Sequence, residues 1–231
     1  MQQGIQLILD NISKIVSLTK EEQDLFVSKL QYIEYKKKEF FLHEGQFSNE
    51  LNFIVEGCVL VYYTDHSGFS HLIQFAIEDW WVGDIASSTH NKPTQLNIQA
   101  IEKTKVLRIN KEDLEYVFEA IPKLERFFRI LVQKRVANLQ QRIISSLSKT
   151  ATERFIEFRE QYGFLENRIT QLQIASFLGV TPEFLSMIRR KLNSSRIFLA
   201  SVSASEEKNR MGFLLVRIQL FFCSPYLRAA S

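Results

Sequence analysis

Residues 169–192 constrain the fold of this chain more than any other stretch, because they contain the start and stop signals of two successive short helices. Thr170 and Gln173 have the T-x-x-Q spacing of a capping box, in which each side chain bonds a backbone N–H at a helix start. Gly179 can adopt the left-handed backbone conformation that ends a helix. Thr181 suits the N-cap of a second helix. We therefore predict two helices joined by a tight turn.

The second predicted helix begins at Pro182, where a missing N–H costs nothing, and has the carboxylate of Glu183 in its first turn, where it suits the helix dipole. Two helices crossed over a short turn containing Gly allow the second to lie in the major groove of DNA. The pattern also fits an ordinary helical hairpin in a protein core. The side chains left for the outer face are Glu183, Ser186, Met187, Arg189, Arg190 and Lys191.

The charge distribution favours the DNA-binding interpretation. Residues 1–125 hold 12 Lys and Arg against 19 Asp and Glu, whereas residues 126–196 hold 13 against 5. An acidic half followed by a basic half indicates that a polyanionic partner meets the second half, which contains the helix pair.

Composition and motifs exclude several other classes of protein. With 45% apolar and 24% charged residues, the chain is typical of a globular protein, and no run approaches the roughly 20 apolar residues of a membrane span. The N-terminal residues lack the features of a secretion signal, so a cytoplasmic location is expected. Cys58 and Cys223 are far apart and the four histidines lack metal-ligand spacing, so no metal site is expected. No enzyme motif indicates catalysis.

The first half of the chain has the pattern of a β-domain. Residues 18–30 predict a short helix, with Thr19 and Glu22 in another capping box. Residues 32–114 then contain β-branched and aromatic runs with near-alternation, separated by turn residues. This pattern predicts an antiparallel barrel, roll or jelly roll, and the fold class expected for the whole chain is α+β.

Glycines occur at the turns between these strands, at Gly45, Gly57 and Gly68, and a Gly-acid pair follows at Gly83-Asp84. The order of these strands and glycines resembles the cyclic-nucleotide-binding β-roll of the Crp/Fnr family of transcription regulators, and the helix-turn-helix aligns with that family's without a gap. The resemblance implies a β-roll sensor over residues 1–115, a dimerisation helix over 116–147 and a winged-helix-like helix-turn-helix domain over 148–192. The positions that match the family's turn glycines and the Gly-acid pair of its phosphate-binding loop are Glu44, Gly45, Gly57, Gly68, Gly83 and Asp84.

By the same resemblance, the effector pocket would contain Gly83, Asp84, Ile85, Thr94 and Gln95. Asp84 stands for the family's Glu, the carboxylate that takes the ribose hydroxyl. Thr94 and Gln95 stand where the family has Arg-Ser or Arg-Thr, so the cation that neutralises the cyclic phosphate is missing. Burying a phosphate without a cation is costly, so we expect no cyclic nucleotide bound in the usual way and no resident cofactor. Another small-molecule effector, or none, stays open.

Residues 122–147 predict one long helix without internal Gly or Pro. The spacing of Val132, Val136, Leu139 and Ile143 is that of a coiled-coil-like seam. This stripe would either pack on the β-domain or, as the resemblance implies, form a two-fold homodimer that places two reading helices about one DNA turn, roughly 34 Å, apart. We favour the homodimer.

The expected function is sequence-specific regulation of transcription, with double-stranded DNA and RNA polymerase as partners. By the resemblance, Glu183 would accept from a cytosine amine and Arg190 would reach guanine or phosphate. Pro182 and Met187 stand where the family's best-studied member has guanine-reading arginines, so the operator should differ. A ligand-binding module acting through protein–protein contacts is the alternative function. Further candidate DNA contacts are Arg168, Thr170, Gln171, Gln173, Thr181, Ser186 and Arg189.

Residues 193–231 fit neither a standard wing nor an early end of the domain. Two apolar segments, residues 197–202 and 211–223, are separated by a polar link. They would form a wing-like hairpin or an added surface element. The second segment is too short to span a bilayer.

Overall fold

The computed structural model describes residues 1–206, and side chains as far as residue 194. The chain divides into two compact units, Met1–Ser186 and Met187–Ser231. The strands within the described residues are β1 (Gln31–Tyr35), β2 (Phe40–Leu42), β3 (Glu50–Glu56), β4 (Val59–Thr64), β5 (Ser70–Ala76), β6 (Trp81–Val82), β7 (Leu96–Ala100) and β8 (Thr104–Asn110).

These strands form two four-stranded antiparallel sheets, which confirms the predicted β-roll. One sheet has the order β1-β8-β3-β6, and the other has the order β2-β7-β4-β5. The cluster of side chains from both sheets includes Ile54, Val59, Val61, Ile98 and Val106, each at most 1% exposed. Strands β6 and β5 lie at the edges of their sheets, so their outer backbone groups need partners from elsewhere.

Helices precede, interrupt and follow the strands in the chain. The helical elements are α1 (Gln2–Ser13), α2 (Lys20–Ser28), α3 (Ile85–His90), α4 (Lys111–Ala120), α5 (Pro122–Ser148), α6 (Ala151–Tyr162), a 3-10 turn (Gly163–Leu165), α7 (Gln171–Leu178) and α8 (Pro182–Glu206). No helix in the described part of the chain is long and apolar enough to cross a membrane.

A second apolar core joins helices to the first sheet. Ile8 of α1, Phe26 of α2, Phe53 of β3, and Leu124 and Phe127 of α5 are each fully buried. Burying side chains of this size contributes roughly 1.5–3 kcal/mol each. The start of the long helix α5 is therefore fixed to the β-roll, whereas its later turns are free of this core.

Local signals located most helix boundaries correctly. The capping box at the start of α2 is confirmed, since Thr19 accepts from the Glu22 backbone and Glu22 accepts from the Thr19 backbone. Helix α1 was not predicted from the sequence. The segment assigned to dimerisation, residues 116–147, contains the end of α4 and most of α5, because Pro122 separates the two helices.

Of the two alternatives expected for residues 193–231, a wing-like hairpin or an added surface element, the hairpin does not form over residues 193–206. Helix α8 continues past Leu192 as far as Glu206. No Gly or Pro occurs between Pro182 and Glu206, so the chain contains no strong stop signal for this helix. The predicted apolar segment at residues 211–223 lies outside the described residues.

Candidate nucleic-acid interface and effector pocket

Helix α7 begins and ends with the capping contacts that its sequence predicts. The Thr170 hydroxyl accepts from the Gln173 backbone at 3.2 Å, and the Gln173 side chain accepts from the Thr170 backbone at 2.7 Å. At the other end, Gly179 has φ 66°, a conformation that L side chains rarely adopt. Helix α7 therefore has both the capped start and the left-handed glycine end that a helix-turn-helix needs.

Three residues separate the end of α7 from the start of α8, which is the tight turn that the motif needs. The Thr181 hydroxyl accepts from the Phe184 backbone at 3.2 Å, so Thr181 is the N-cap. The Ser186 hydroxyl donates to the Gln171 side chain at 3.3 Å and links the second helix to the first. Leu185 is fully buried, which fixes the face that α8 turns inward.

Most of the predicted DNA-contacting side chains lie near the surface. Thr170, Gln171, Thr181 and Glu183 of the first unit are exposed, and Gln173, Pro182 and Ser186 are half-buried. In the second unit, Met187 and Arg190 are exposed and Arg189 is half-buried. The N-termini of both helices, whose free N–H groups and dipoles favour phosphate, belong to the exposed set.

Arg168, a predicted phosphate contact, has internal acidic partners. Its Nη1 and Nη2 atoms each donate to a carboxylate oxygen of Glu78 at 2.8 Å, and its Nε donates to Glu102 at 3.2 Å. These bonds raise the pKa of Arg168, with the Glu78 bond as the largest cause. A DNA phosphate would have to compete with two carboxylates for this guanidinium.

The predicted effector pocket contains a network that uses both oxygens of Asp84. One oxygen accepts from the backbone of Ala86 at 2.9 Å and of Ser87 at 3.3 Å, which makes Asp84 the N-cap of α3. The other accepts from the Thr94 hydroxyl at 2.5 Å. Thr94 is 3% exposed and its oxygen accepts in turn from the Leu96 backbone at 2.9 Å. Both carboxylate oxygens of Asp84 therefore accept hydrogen bonds from its own loop.

A basic residue that sequence reasoning missed approaches this loop. Arg135 of α5 is half-buried and interacts electrostatically with Asp84. Burial lowers the pKa of Arg135, and the charge of Asp84 acts in the opposite direction. The only signal in the sequence was an Arg three residues after Val132, off the apolar seam.

The remaining pocket candidates do not converge on one cavity. Ile85 and Gln95 are exposed. An open cleft of about 440 Å³ lies beside the loop, and Gly83 alone among the five candidates lines it. Within the described residues, no group of three or more His, Cys, Asp or Glu side chains could hold a metal ion.

The predicted seam of α5 is an exposed apolar stripe. Val132, Val136, Leu139 and Ile143 are 41%, 48%, 40% and 59% exposed. Each of these side chains therefore leaves two-fifths or more of its surface uncovered by the described part of the chain. Ile144 and Leu147 extend the exposed apolar surface toward the end of the helix.

Comparisons with known proteins agree with this architecture. Residues 32–120 match the family model of the cyclic nucleotide-binding domain. The transcriptional activator protein Anr of Pseudomonas protegens is 23% identical over 176 residues, which cover 71% of either chain. Anr of Pseudomonas aeruginosa has the same identity and coverage.

Solved structures share the fold at low sequence identity. FixK2 from Bradyrhizobium japonicum has a TM-score of 0.64 at 19% identity, covering 73% of this chain and 86% of its own. A crp/fnr family regulator from Eubacterium rectale has a TM-score of 0.61 at 16% identity, covering 77% and 85%. The chain therefore resembles Crp/Fnr regulators: residues 32–120 match the cyclic nucleotide-binding domain, and the β-roll, long helix and helix-turn-helix share the fold of these solved structures.

Proposed function

We propose that the protein is a homodimeric, DNA-binding transcription regulator. The observation that carries this proposal is the helix pair α7–α8, which has capped starts, a left-handed glycine at the end of α7 and exposed polar residues at both N-termini. A helical hairpin in a protein core would bury those residues. The relatives named Anr are transcriptional activators, which supports the same function.

Base reading is assigned to the exposed side of α8. Glu183 would accept a hydrogen bond from a cytosine amine, and Arg190 would donate to guanine or to a phosphate. Thr170 and Gln171 at the N-terminus of α7 would bond phosphates, which positions the protein without reading sequence. RNA polymerase would be the further partner at a promoter, and the site of action would be the cytoplasm.

Dimerisation is assigned to the exposed stripe of α5. Four apolar side chains at coiled-coil spacing, each at least 40% exposed, would be buried against the same stripe of a second copy. A two-fold axis along α5 would place two copies of α8 in successive major grooves, roughly 34 Å apart. Val136→Glu should therefore produce monomers by analytical ultracentrifugation, whereas Lys20→Glu on the exposed surface of α2 should not.

The β-roll would sense a signal other than a cyclic nucleotide bound in the usual way. The hydrogen bonds of Asp84 to Thr94 and to the start of α3 support this proposal, because they use the carboxylate that would take a ribose hydroxyl. Arg135 supplies a cation from α5, but none stands at Thr94 itself. Calorimetry with cyclic AMP and cyclic GMP should give no binding at micromolar concentration. Micromolar binding of either nucleotide would contradict this part of the proposal.

Selection of bound fragments from random duplex DNA tests the function directly. The purified protein should enrich a two-fold-symmetric site with half-sites one helical turn apart. Arg190→Ala should weaken binding to that site, whereas Lys20→Ala, which changes the net charge equally but lies in the acidic half, should leave it unchanged. Enrichment of no sequence, with or without cell extract, would rule out this function and leave a protein–protein regulatory module.

A further inference from the structure

Helix α7 is docked on the edge strand β5 of the β-roll. The Ser176 hydroxyl donates to the Ser70 carbonyl at 2.6 Å and accepts from the Leu72 backbone N–H at 2.8 Å. One side chain thus satisfies two backbone groups of a sheet edge, which would otherwise be left unpaired. The first helix of the DNA-binding element therefore contacts the sensor domain directly, in addition to its connection through α5 and α6.

Arg142 of α5 joins the same two elements. Its guanidinium donates to the Leu72 carbonyl at 3.0 Å, to the Ile73 carbonyl and to the Phe177 carbonyl of α7 at 2.9 Å. The guanidinium also lies 4.0 Å from the centre of the Phe177 ring. A planar cation with several donors suits this role, because it can bond carbonyls in different directions while stacking on a ring.

An ionic cluster holds the chain just before α7. Arg168 bonds Glu78, which follows β5, through two donors at 2.8 Å, and bonds Glu102, which precedes β8. Glu78 also accepts from the backbone of Gly57 at 2.8 Å, so its position in the roll is itself fixed. Burial alone would raise the pKa of Glu78, but the bonds from Arg168 and Gly57 outweigh it and hold the pKa below its usual value.

Aromatic side chains fill the space between the polar contacts. Phe75 of β5 is 2% exposed, and its ring centre lies 4.9 Å from that of Phe177 and 6.2 Å from that of Phe158 in α6. Tyr162 at the end of α6 contacts Phe177 as well, at 5.9 Å. The contact of the β-roll with α6 and α7 is thus a packed interface with an apolar centre and a polar rim.

We propose that Arg168, Arg142 and Ser176 are positioning residues for DNA recognition, which anchor α7 to the β-roll and thereby set the orientation of the reading helix α8. This inference rests on the proposed function. It assigns to Arg168 an internal role instead of a phosphate contact. It also makes β5 a direct route between the sensor and the DNA-binding element, beside the dimer helix.

The proposal predicts a specific property of DNA binding. In a dimer, a rigidly anchored pair of reading helices fits one separation of half-sites, whereas a loosely held pair fits several. The wild-type protein should therefore bind its selected site strongly at one spacer length and weakly when the spacer is one or two base pairs longer or shorter. Loss of the anchor should flatten this preference.

The test compares Arg168→Gln and Glu78→Gln on a series of spacer lengths. Both variants should lose the spacer preference and weaken the best site by about twofold to thirtyfold, the range expected for mutations along a coupling network. Arg168→Lys, which keeps the charge but not the two-donor fork, should restore part of the preference. The control is Lys103→Gln, which removes a surface ion pair with Glu34 from the same roll.

The two possible roles of Arg168 give opposite results for Glu78→Gln. If Arg168 contacted phosphate, Glu78→Gln would free its guanidinium and would keep or strengthen DNA binding. Arg168→Gln would then reduce the slope of log binding constant against log salt concentration by about one, the value for one phosphate contact, without changing the spacer preference. That pattern would overturn the proposal.

Amide hydrogen exchange tests the anchor without DNA. Exchange in residues 171–178 should accelerate by about tenfold in Arg168→Gln and in Ser176→Ala, because local opening of α7 becomes easier. Ser176→Ala keeps every charge and serves as the second variant if Arg168→Gln does not fold. Unchanged exchange in the variant that folds would refute the anchor.

The outcomes of the two proposals are distinguishable. If the wild-type protein selects no DNA site, the proposed function fails, while the exchange measurement still decides whether α7 is anchored. If it selects a symmetric site and Arg168→Gln keeps the spacer preference, the function stands and the positioning role is wrong.

Discussion

Replacing Asp84 by Ala should destabilise the β-roll far more than loss of an ordinary helix cap. Asp84 accepts from Ala86 and Ser87 at the start of α3, and loss of an N-cap costs about 1 kcal/mol. It also accepts a hydrogen bond from the buried Thr94 hydroxyl, and leaving a buried donor unpaired costs about 1–3 kcal/mol. We expect a total loss of about 2–4 kcal/mol in the free energy of unfolding, measured by urea titration.

A matched control separates the two contributions. Asn110 caps α4 by accepting from the Asp113 backbone at 2.7 Å and also donates to the Asp113 carboxylate at 2.8 Å, but it bonds no buried hydroxyl, so Asn110→Ala should cost only about 1 kcal/mol. The double variant Asp84→Ala with Thr94→Val removes both partners of the buried bond and should cost less than the sum of the single variants. Additive losses, or an Asp84→Ala loss no larger than that of Asn110→Ala, would refute the view that Asp84 is engaged by Thr94.

Three further predictions concern the stability of the same β-roll and the reactivity of its buried thiol. Gly57→Ala should lower the free energy of unfolding, measured by thermal denaturation, by about 3 kcal/mol, because φ is +106° and a Cβ would lie 2.7 Å from a backbone carbonyl. Gly68→Ala, the control, places its Cβ in open space and should lower it by about 1 kcal/mol. With Cys223 replaced by Ser, Cys58 should react with a thiol reagent at pH 8 only after unfolding, since burial raises its pKa to about 12; rapid reaction of the native protein would contradict this. The stability advantage of wild type over Glu78→Gln should be present above pH 4.5 and disappear as the pH falls below it, because Glu78 has a lowered pKa when folded; an advantage independent of pH would show that the carboxylate charge is not involved.

The local backbone features were predictable from the sequence because their causes lie within a few residues. Thr170 and Gln173 are one turn apart, Gly179 directly follows α7, and Thr181 begins the next helix, so each signal acts on neighbouring backbone groups. The alternation of the strands is local in the same sense. These features were enough to predict an antiparallel β-domain, the long helix and the helix pair in the correct order, whereas the β-roll in particular was implied by the resemblance to the Crp/Fnr family.

Some local predictions failed where the stop or start signal was weak. Helix α1 was missed, although Ile8 and Ile12 are both buried in the structure. Helix α8 was predicted to end at Leu192 and continues to Glu206, since a helix without Gly or Pro has no strong local reason to stop.

The roles of the basic side chains were decided by the tertiary structure alone. In the sequence, Arg168 is one of 13 basic residues in residues 126–196 and looks like a phosphate contact. Its partners Glu78 and Glu102 lie 90 and 66 residues away, and the Leu72 carbonyl that Arg142 bonds lies 70 residues away. Periodicity and capping act over one or two turns, whereas a long side chain pairs with whatever the folded chain brings near it. The sequence by itself therefore determined which elements form, and only the packing of those elements decided which cations face solvent and which hold α7 on the β-roll.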